Sequence, residues 1–466
     1  MRTDFLLAVA AAAFLALCIL LGGASAPRAG AAANGLLQLV SLVLLLSALW
    51  SARLYAFPQG TRPLVWIFLL FLAAGLLTLV PLPASVWTAL PGREPVAHGF
   101  ALLGLAPPPL PLSLAFHNSI ASLLWLLPPA AMFMLVMLIS PQRRRWLLRT
   151  LLAMAGLSIV LGAAQLLGGS GSGLRPYTIT NDTLAVGFFA NANHLATLLV
   201  CAIPVTGYLA GRSVARSRDR SRRFSAVMVA GAIAVLLLVG IAIIGSMAGY
   251  GLALPATLAA LLIYRRAAYG PISLRWLGGF GLVVILFGVL AFAGPLNREA
   301  LSDEISAQPS SRGSLTTNTV RLIGDTFPAG TGLGTFPDVY RTIERPNPDA
   351  REFANHAHND YVEIVLEMGL VGALVVVAFI AWWGRRAWLA WTTDNQGASV
   401  ARAGSVIVLA ALLHSLVDYP LRTSAIAALF AMACAMMLPS ATRREPPRGA
   451  GRGGQGPDAA RHIEAD

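Results

Sequence analysis

The chain contains no lysine. All 34 of its basic residues are arginine, and charged residues of both signs fill only 12% of the 466 positions, about half the share found in a soluble domain. The three cysteines, Cys18, Cys201 and Cys434, lie far apart in apolar sequence. They show neither a zinc-ligand spacing nor a disulfide framework. So little charge excludes an ordinary water-soluble domain. The net charge of +13 does not make this a nucleic-acid-binding protein either, because the arginines sit in short loops between apolar runs rather than along one face.

What is abundant is apolar sequence, with 56% of residues hydrophobic. Runs long enough to cross a hydrocarbon core of roughly 30 Å predict about twelve spans, near 5–23, 35–57, 63–82, 119–140, 146–168, 188–210, 224–245, 247–264, 276–294, 361–383, 403–419 and 421–438. Arginine clusters alternate along them: "QRRRWLLR", "GRSVARSRDRSRR", "YRRAAYG" and "GRR" occupy alternate loops, whereas the intervening short loops hold Arg28, Arg93, Arg175 and Arg422. The positive-inside rule therefore predicts both termini in the cytoplasm. The first apolar run exceeds the about 7–15 residues of a signal-peptide core and is expected to remain as a span.

The expected organisation is all-α and polytopic: helices 1–9 over residues 1–294, a periplasmic loop over 295–360, helices 10–12 over 361–438, and a disordered cytoplasmic tail over 439–466. A Pro-rich stretch at 83–118 is expected to lie along the outer membrane surface. Long polar loops in compact domains are usually functional or disordered. The Gly-rich "AGTGLGTF" at 329–336 predicts order in the long loop.

That loop runs into the span through "NHAHNDYVEIVLEMG", residues 355–369. His356, His358 and Asp360 have a spacing that zinc hydrolases use, but a zinc site needs three or four converging ligands and the loop offers no complete set, so no metal is expected. Read as a helix start, the string puts Asp360, Glu363 and Glu367 on one face, with Glu367 inside the membrane boundary. Charge there is expensive and marks function. Two further polar clusters interrupt apolar sequence: Asn191, Asn193 and His194 in "GFFANANHLATLL", and His414 and Asp418 in "ALLHSLVDYPLR". All three clusters fall near the outer ends of their spans, which predicts one shared cavity on that side.

These segments, "HAHNDYVEIVLEMGLVG" preceded by "RLIGDTFPAGTGLGTF" and flanked by "GFFANANHLA" and "HSLVDYPLR", resemble the O-antigen ligase and polymerase family of bacterial inner-membrane proteins. The resemblance covers roughly residues 170–425. One departure stands out: many members carry Ser-Arg-Gly after the span that ends here at Gly245, whereas this chain reads "GSMAGYG".

The resemblance implies a glycosyltransferase that moves a glycan from a polyprenyl diphosphate carrier, such as undecaprenyl diphosphate, to an acceptor hydroxyl at the periplasmic face. The acceptor would be lipid A core of lipopolysaccharide, a protein or another glycan. A polymerase of the same family is the near alternative, and a proton-coupled transporter is an alternative of another class. The family pattern aligns on His358, Asn359 and Gly369, which makes His358 the expected base and His356 the second catalytic histidine. Arg321, then Arg341 and Arg175, are the expected diphosphate ligands, since arginine's planar fork suits phosphate oxygens. Asn359 and Glu367 complete the expected substrate-binding set. No cofactor is implied.

Overall fold

Long apolar stretches without charge can satisfy their backbone in lipid only as helices, and helices are what form. The computed structural model describes residues 2–25, 30–169, 171–270, 312–344, 354–393 and 397–444. In chain order the helices are α1 (Arg2–Leu21), α2 (Ala31–Ala52), α3 (Arg62–Leu77), α4 (Ala84–Trp87), α5 (Glu94–Leu102), α6 (Phe116–Leu124), α7 (Leu127–Leu138) and α8 (Arg144–Leu167). They continue with α9 (Ala192–Arg216), α10 (Arg220–Ile244), α11 (Met247–Tyr269), α12 (Arg312–Thr326), α13 (Phe336–Arg341), α14 (Asp360–Thr392), α15 (Ala398–His414) and α16 (Ser424–Met436). Two-residue strands form the pairs Tyr55–Ala56 with Thr442–Arg443 and Pro81–Leu82 with Leu110–Pro111.

Among the described residues, nine helical segments are long and apolar enough to cross a membrane, and α15 and α16 are shorter apolar helices. Eleven of the expected spans thus correspond to helices, while the one at 276–294 lies outside the described residues. The expected span at 119–140 is two helices, because Pro128 and Pro129 open the second one, α7. Helix α14 runs past its expected end at 383 to Thr392. The first residues of the expected tail are held in place, since the Ala441 amide donates to the Met137 carbonyl (2.9 Å) and Thr442–Arg443 pairs with Tyr55–Ala56.

Helix α9 is the centre of the bundle. It is buried along most of its length and packs against α10, α11 and α15. Helices α1, α7, α8 and α16 share the same core, in which Phe14, Met132, Leu148 and Met432 are buried. Leu39, Leu46, Trp66, Val160 and Val229 instead point outward, as lipid-facing side chains must. At the far end of α16, the Arg144 Nη1 donates to the carbonyls of Ala435 (3.1 Å) and Leu438 (2.6 Å), two groups that a helix end leaves without intrahelical partners.

Helix α14 is broken at Gly369, whose φ of 56° and ψ of −138° are non-helical. A break would strand carbonyls at membrane depth, where no water replaces the lost hydrogen bonds. The Gly-rich turn supplies the replacement: the Thr331 amide donates to Leu366 O (3.1 Å), Gly332 N to Glu367 O (2.8 Å), and in return Leu370 N reaches Pro328 O (3.0 Å). Glycine is required on both sides of this contact. A Cβ on Gly369 would collide with the Pro328 carbonyl, and one on Gly330 would meet Gly369 N and Glu367 O. The spacing of "GTGLGTF" is thus explained as a strap across a broken helix.

Candidate functional site

The start of α14 is fixed by Asn359. Its side-chain oxygen accepts from the amides of Tyr361 (3.0 Å) and Val362 (3.1 Å), and its amide donates to the Leu416 carbonyl (2.9 Å). Asn359 is therefore a helix cap that ties α14 to the turn between α15 and α16. This role accounts for its polar groups and differs from the substrate contact expected of it.

From that start, Asp360, Glu363 and Glu367 share one face and are buried, and all three meet one cation. The guanidinium of Arg422 lies 3.0 Å from Glu367 through Nη1, 3.5 Å from Glu363 through Nη2, and 3.5 Å from Asp360 through Nε. Burial alone would push the Arg422 pKa down, but the carboxylates of Glu363, Glu367 and Asp360 outweigh it and hold it above its ordinary value. Ser415 Oγ donates to Asp360 (2.7 Å). Glu367 also accepts from the Phe336 amide at 3.4 Å, which joins the cluster to the Gly-rich turn. Glu367 is thus a buried link between Arg422 and that turn. Arg422 did not figure among the expected site residues. Part of its signal was present, because three acids on one face of a membrane helix demand a counter-cation.

Both histidines face a carboxylate through Nδ1, and only His356 is hydrogen-bonded to it. His356 Nδ1 is 2.8 Å from Glu363 Oε1, whose other oxygen accepts from the Ala357 amide (2.8 Å). An ionised carboxylate can only accept, so His356 donates through Nδ1 and turns Nε2 away from Glu363. His358 Nδ1 lies 3.5 Å from Asp418 Oδ1, and the same oxygen is 3.9 Å from His194 Nε2. His358 is the one described non-glycine residue with positive φ, 51°, a strain that folded proteins keep mainly at functional sites.

Tyr419 is the hub of these groups. Its ring centroid lies 4.3 Å from that of His356, 4.8 Å from His358 and 5.1 Å from His194. Burial and the neighbouring Asp418 push the phenol up to about 12, while hydrogen bonds with Asn355, Asn191 and Ser25 pull the other way. Behind it, Thr197 Oγ1 is 2.7 Å from His414 Nδ1. The three polar clusters seen in the sequence therefore converge, and Tyr419, absent from the expected set, is where they meet.

A cavity of about 430 Å³ opens beside this hub. His356, Arg422 and the three acids line it together with Asn118, Asp338 and Arg341, and Phe71 and Trp125 contribute apolar wall. Of the expected diphosphate ligands, Arg341 lines this cavity. Arg321 is exposed on α12 and is not among the lining residues. Arg175 donates instead to carbonyls of its own loop, Asn181 (2.7 Å) and Leu184 (2.9 Å). The additional loop arginines Arg345 and Arg351 lie outside the described residues. Among the described residues no group of three His, Cys, Asp or Glu side chains is arranged to hold a metal ion.

Residues 232–377 match the O-antigen ligase family. The matched segment contains the Gly-rich turn, both histidines, the three acids and Arg341, and it ends before Asp418, Tyr419 and Arg422. Over that segment the chain is similar to membrane proteins of the O-antigen ligase family. No curated protein matches the chain.

Proposed function

We propose that the protein transfers a glycan from a polyprenyl diphosphate carrier to an acceptor hydroxyl at the periplasmic face of a bacterial inner membrane, without a metal ion or cofactor. The observation that carries this reading is a pair of imidazoles packed on one tyrosine and each facing a carboxylate, with His356 lining a cavity that also holds Arg341 and His358 next to it, behind the lining residues. His358 is the proposed base. It takes the acceptor hydroxyl's proton on Nε2 while the acceptor oxygen attacks the anomeric carbon. The bond from that carbon to the diphosphate breaks, and its electron pair leaves with the diphosphate. Diphosphate is a good leaving group, so no general acid is essential. Asp418 would stabilise the imidazolium that forms. His356, held by Glu363 and facing the cavity, orients the acceptor, and Arg341 meets the charge that develops on the leaving group.

Arg422 is not assigned to the diphosphate, because three carboxylates already surround it. The acceptor can be lipid A core, a protein or a second glycan, and polymerisation would use the same chemistry. A proton-coupled transporter would also use buried acids and histidines. Such transporters tend to place paired broken helices in two related halves, whereas this site rests on a break in α14 strapped by a turn.

The direct test reconstitutes the purified protein in liposomes with lipid-linked glycan extracted from the source membranes, and follows glycan on the acceptor. Transfer should appear and should survive EDTA. Its loss on chelation, restored by zinc, would overturn the metal-free mechanism, and no transfer at all would overturn the reading itself.

The proposed orientation is tested separately. The native cysteines are buried, so background labelling is low. A cysteine replacing Thr342 should react with an impermeant maleimide in spheroplasts, and one replacing Arg218 should react only after lysis. The reverse pattern would put the site on the cytoplasmic side.

A further inference from the structure

On the cavity wall, Asn118 of α6 and Asp338 of α13 are paired although they are 220 residues apart in sequence. The Asn118 Nδ2 donates to Asp338 Oδ2 at 2.6 Å, the only orientation of the amide that a carboxylate accepts. Neither residue has a part in the proposed proton transfer or in the Arg422 cluster, and both line the cavity.

The pair sits on a rigid support. Ser119 Oγ donates to Leu333 O (2.6 Å) and Leu114 N to Thr331 O (2.9 Å), so α6 and the residues just before it are each bonded to the Gly-rich turn. A Cβ on Gly334 would collide with Ser122 Oγ and meet the Asn118 carbonyl, so that close approach requires glycine. On α13, Phe336, Val339 and Tyr340 are buried, which turns Asp338 and Arg341, spaced three apart, towards the cavity.

The bond between the two side chains uses one amide hydrogen and one carboxylate oxygen. It leaves the Asn118 Oδ1 and the Asp338 Oδ1 as acceptors, and the second amide hydrogen as a donor. A carboxylate repels phosphate and welcomes hydroxyl donors. Two adjacent acceptors on a fixed frame suit two neighbouring O–H groups, and Trp125 on the same cavity offers a flat apolar surface for the C–H face of a sugar ring. We propose that Asn118 and Asp338 form a sugar-hydroxyl subsite that takes a vicinal diol of the glycan and sets which sugar is accepted. This rests on the glycan-transfer reading above, and the diol can belong to either the donor or the acceptor glycan.

The test compares wild type with Asn118→Ala, Asp338→Ala and Asp338→Asn in the liposome assay, measuring KM for donor and for acceptor separately. The free oligosaccharide, released from the extracted lipid-linked glycan by mild acid, serves as a competitive probe without diphosphate. KM for one of the two glycans should rise about tenfold or more in each alanine variant, as expected from losing one or two hydrogen bonds, with kcat little changed. A rise in donor KM with weaker inhibition by the free oligosaccharide assigns the diol to the donor. A rise in acceptor KM alone assigns it to the acceptor. Asp338→Asn, which keeps one acceptor oxygen, should be intermediate. If wild type transfers glycan and every KM and inhibition constant stays within twofold in the alanine variants, the subsite is wrong while the proposed function stands. If kcat falls with KM unchanged, the pair belongs to the chemistry and not to sugar selection.

Discussion

Replacing His358 with alanine should lower the rate of glycan transfer by roughly two to four orders of magnitude, the usual contribution of a positioned base. Lipid-linked donor should still bind, because a neutral imidazole adds no charge that holds diphosphate. The structure sharpens this expectation by giving His358 a carboxylate partner 3.5 Å away in Asp418. Asp418→Asn should therefore reduce the rate as well, since the imidazolium that forms loses the carboxylate that stabilises it. His356→Ala should have the smaller effect. The measurements are transfer and donor binding on the same purified variants, with membrane insertion checked. If His356→Ala is inactive and His358→Ala is not, the roles of the two histidines are exchanged. Full activity in both would remove the acid–base reading altogether.

Loss of Arg422 should act on the fold as well as on the site. Arg422→Met keeps an apolar stem of similar length but leaves Asp360, Glu363 and Glu367 buried without their cation. Removing one partner of a buried charge pair costs about 3–5 kcal/mol, and here three carboxylates are abandoned together. The expected result is poor recovery of folded protein and a large drop in thermal stability in detergent. Arg422→Lys keeps the charge but loses the planar fork. It can satisfy fewer of the three carboxylates, so an intermediate loss is expected. Adding Glu367→Gln to Arg422→Met removes one uncompensated charge and should recover part of the stability, while Glu363 and its bond to His356 remain. Should Arg422→Met be as stable as wild type, the cluster is not what anchors the α15–α16 turn to α14.

Much of the architecture is legible in the sequence because lipid restricts the choices. A long apolar run must close its own hydrogen bonds, so eleven of the twelve expected spans can be matched to helices, although several ends moved. Spacing alone also placed Asp360, Glu363 and Glu367 on one face, since 3.6 residues per turn is a local property of the chain. The local string around His358 was enough to single out the histidines.

The site as an assembly depended on contacts that periodicity does not encode. Arg422 lies 55 residues beyond Glu367, and nothing in its own neighbourhood says that it will meet three acids of α14. The demand for a counter-cation is written in the sequence, but its supplier is decided by which loop the folded helices bring within reach. Arg321 and Arg175 were expected at the diphosphate on charge and side of the membrane. Packing instead left Arg321 exposed and let the carbonyls of Asn181 and Leu184 claim Arg175. Asn359 looked like a ligand because it neighbours the histidine, yet a helix start needs a cap and its side chain is the nearest acceptor. The Gly-rich turn carried its glycines in plain view, but the break of α14 at Gly369 explains Gly330, because freed carbonyls in a membrane must find donors and a Cβ there would keep the turn from coming close enough to give them.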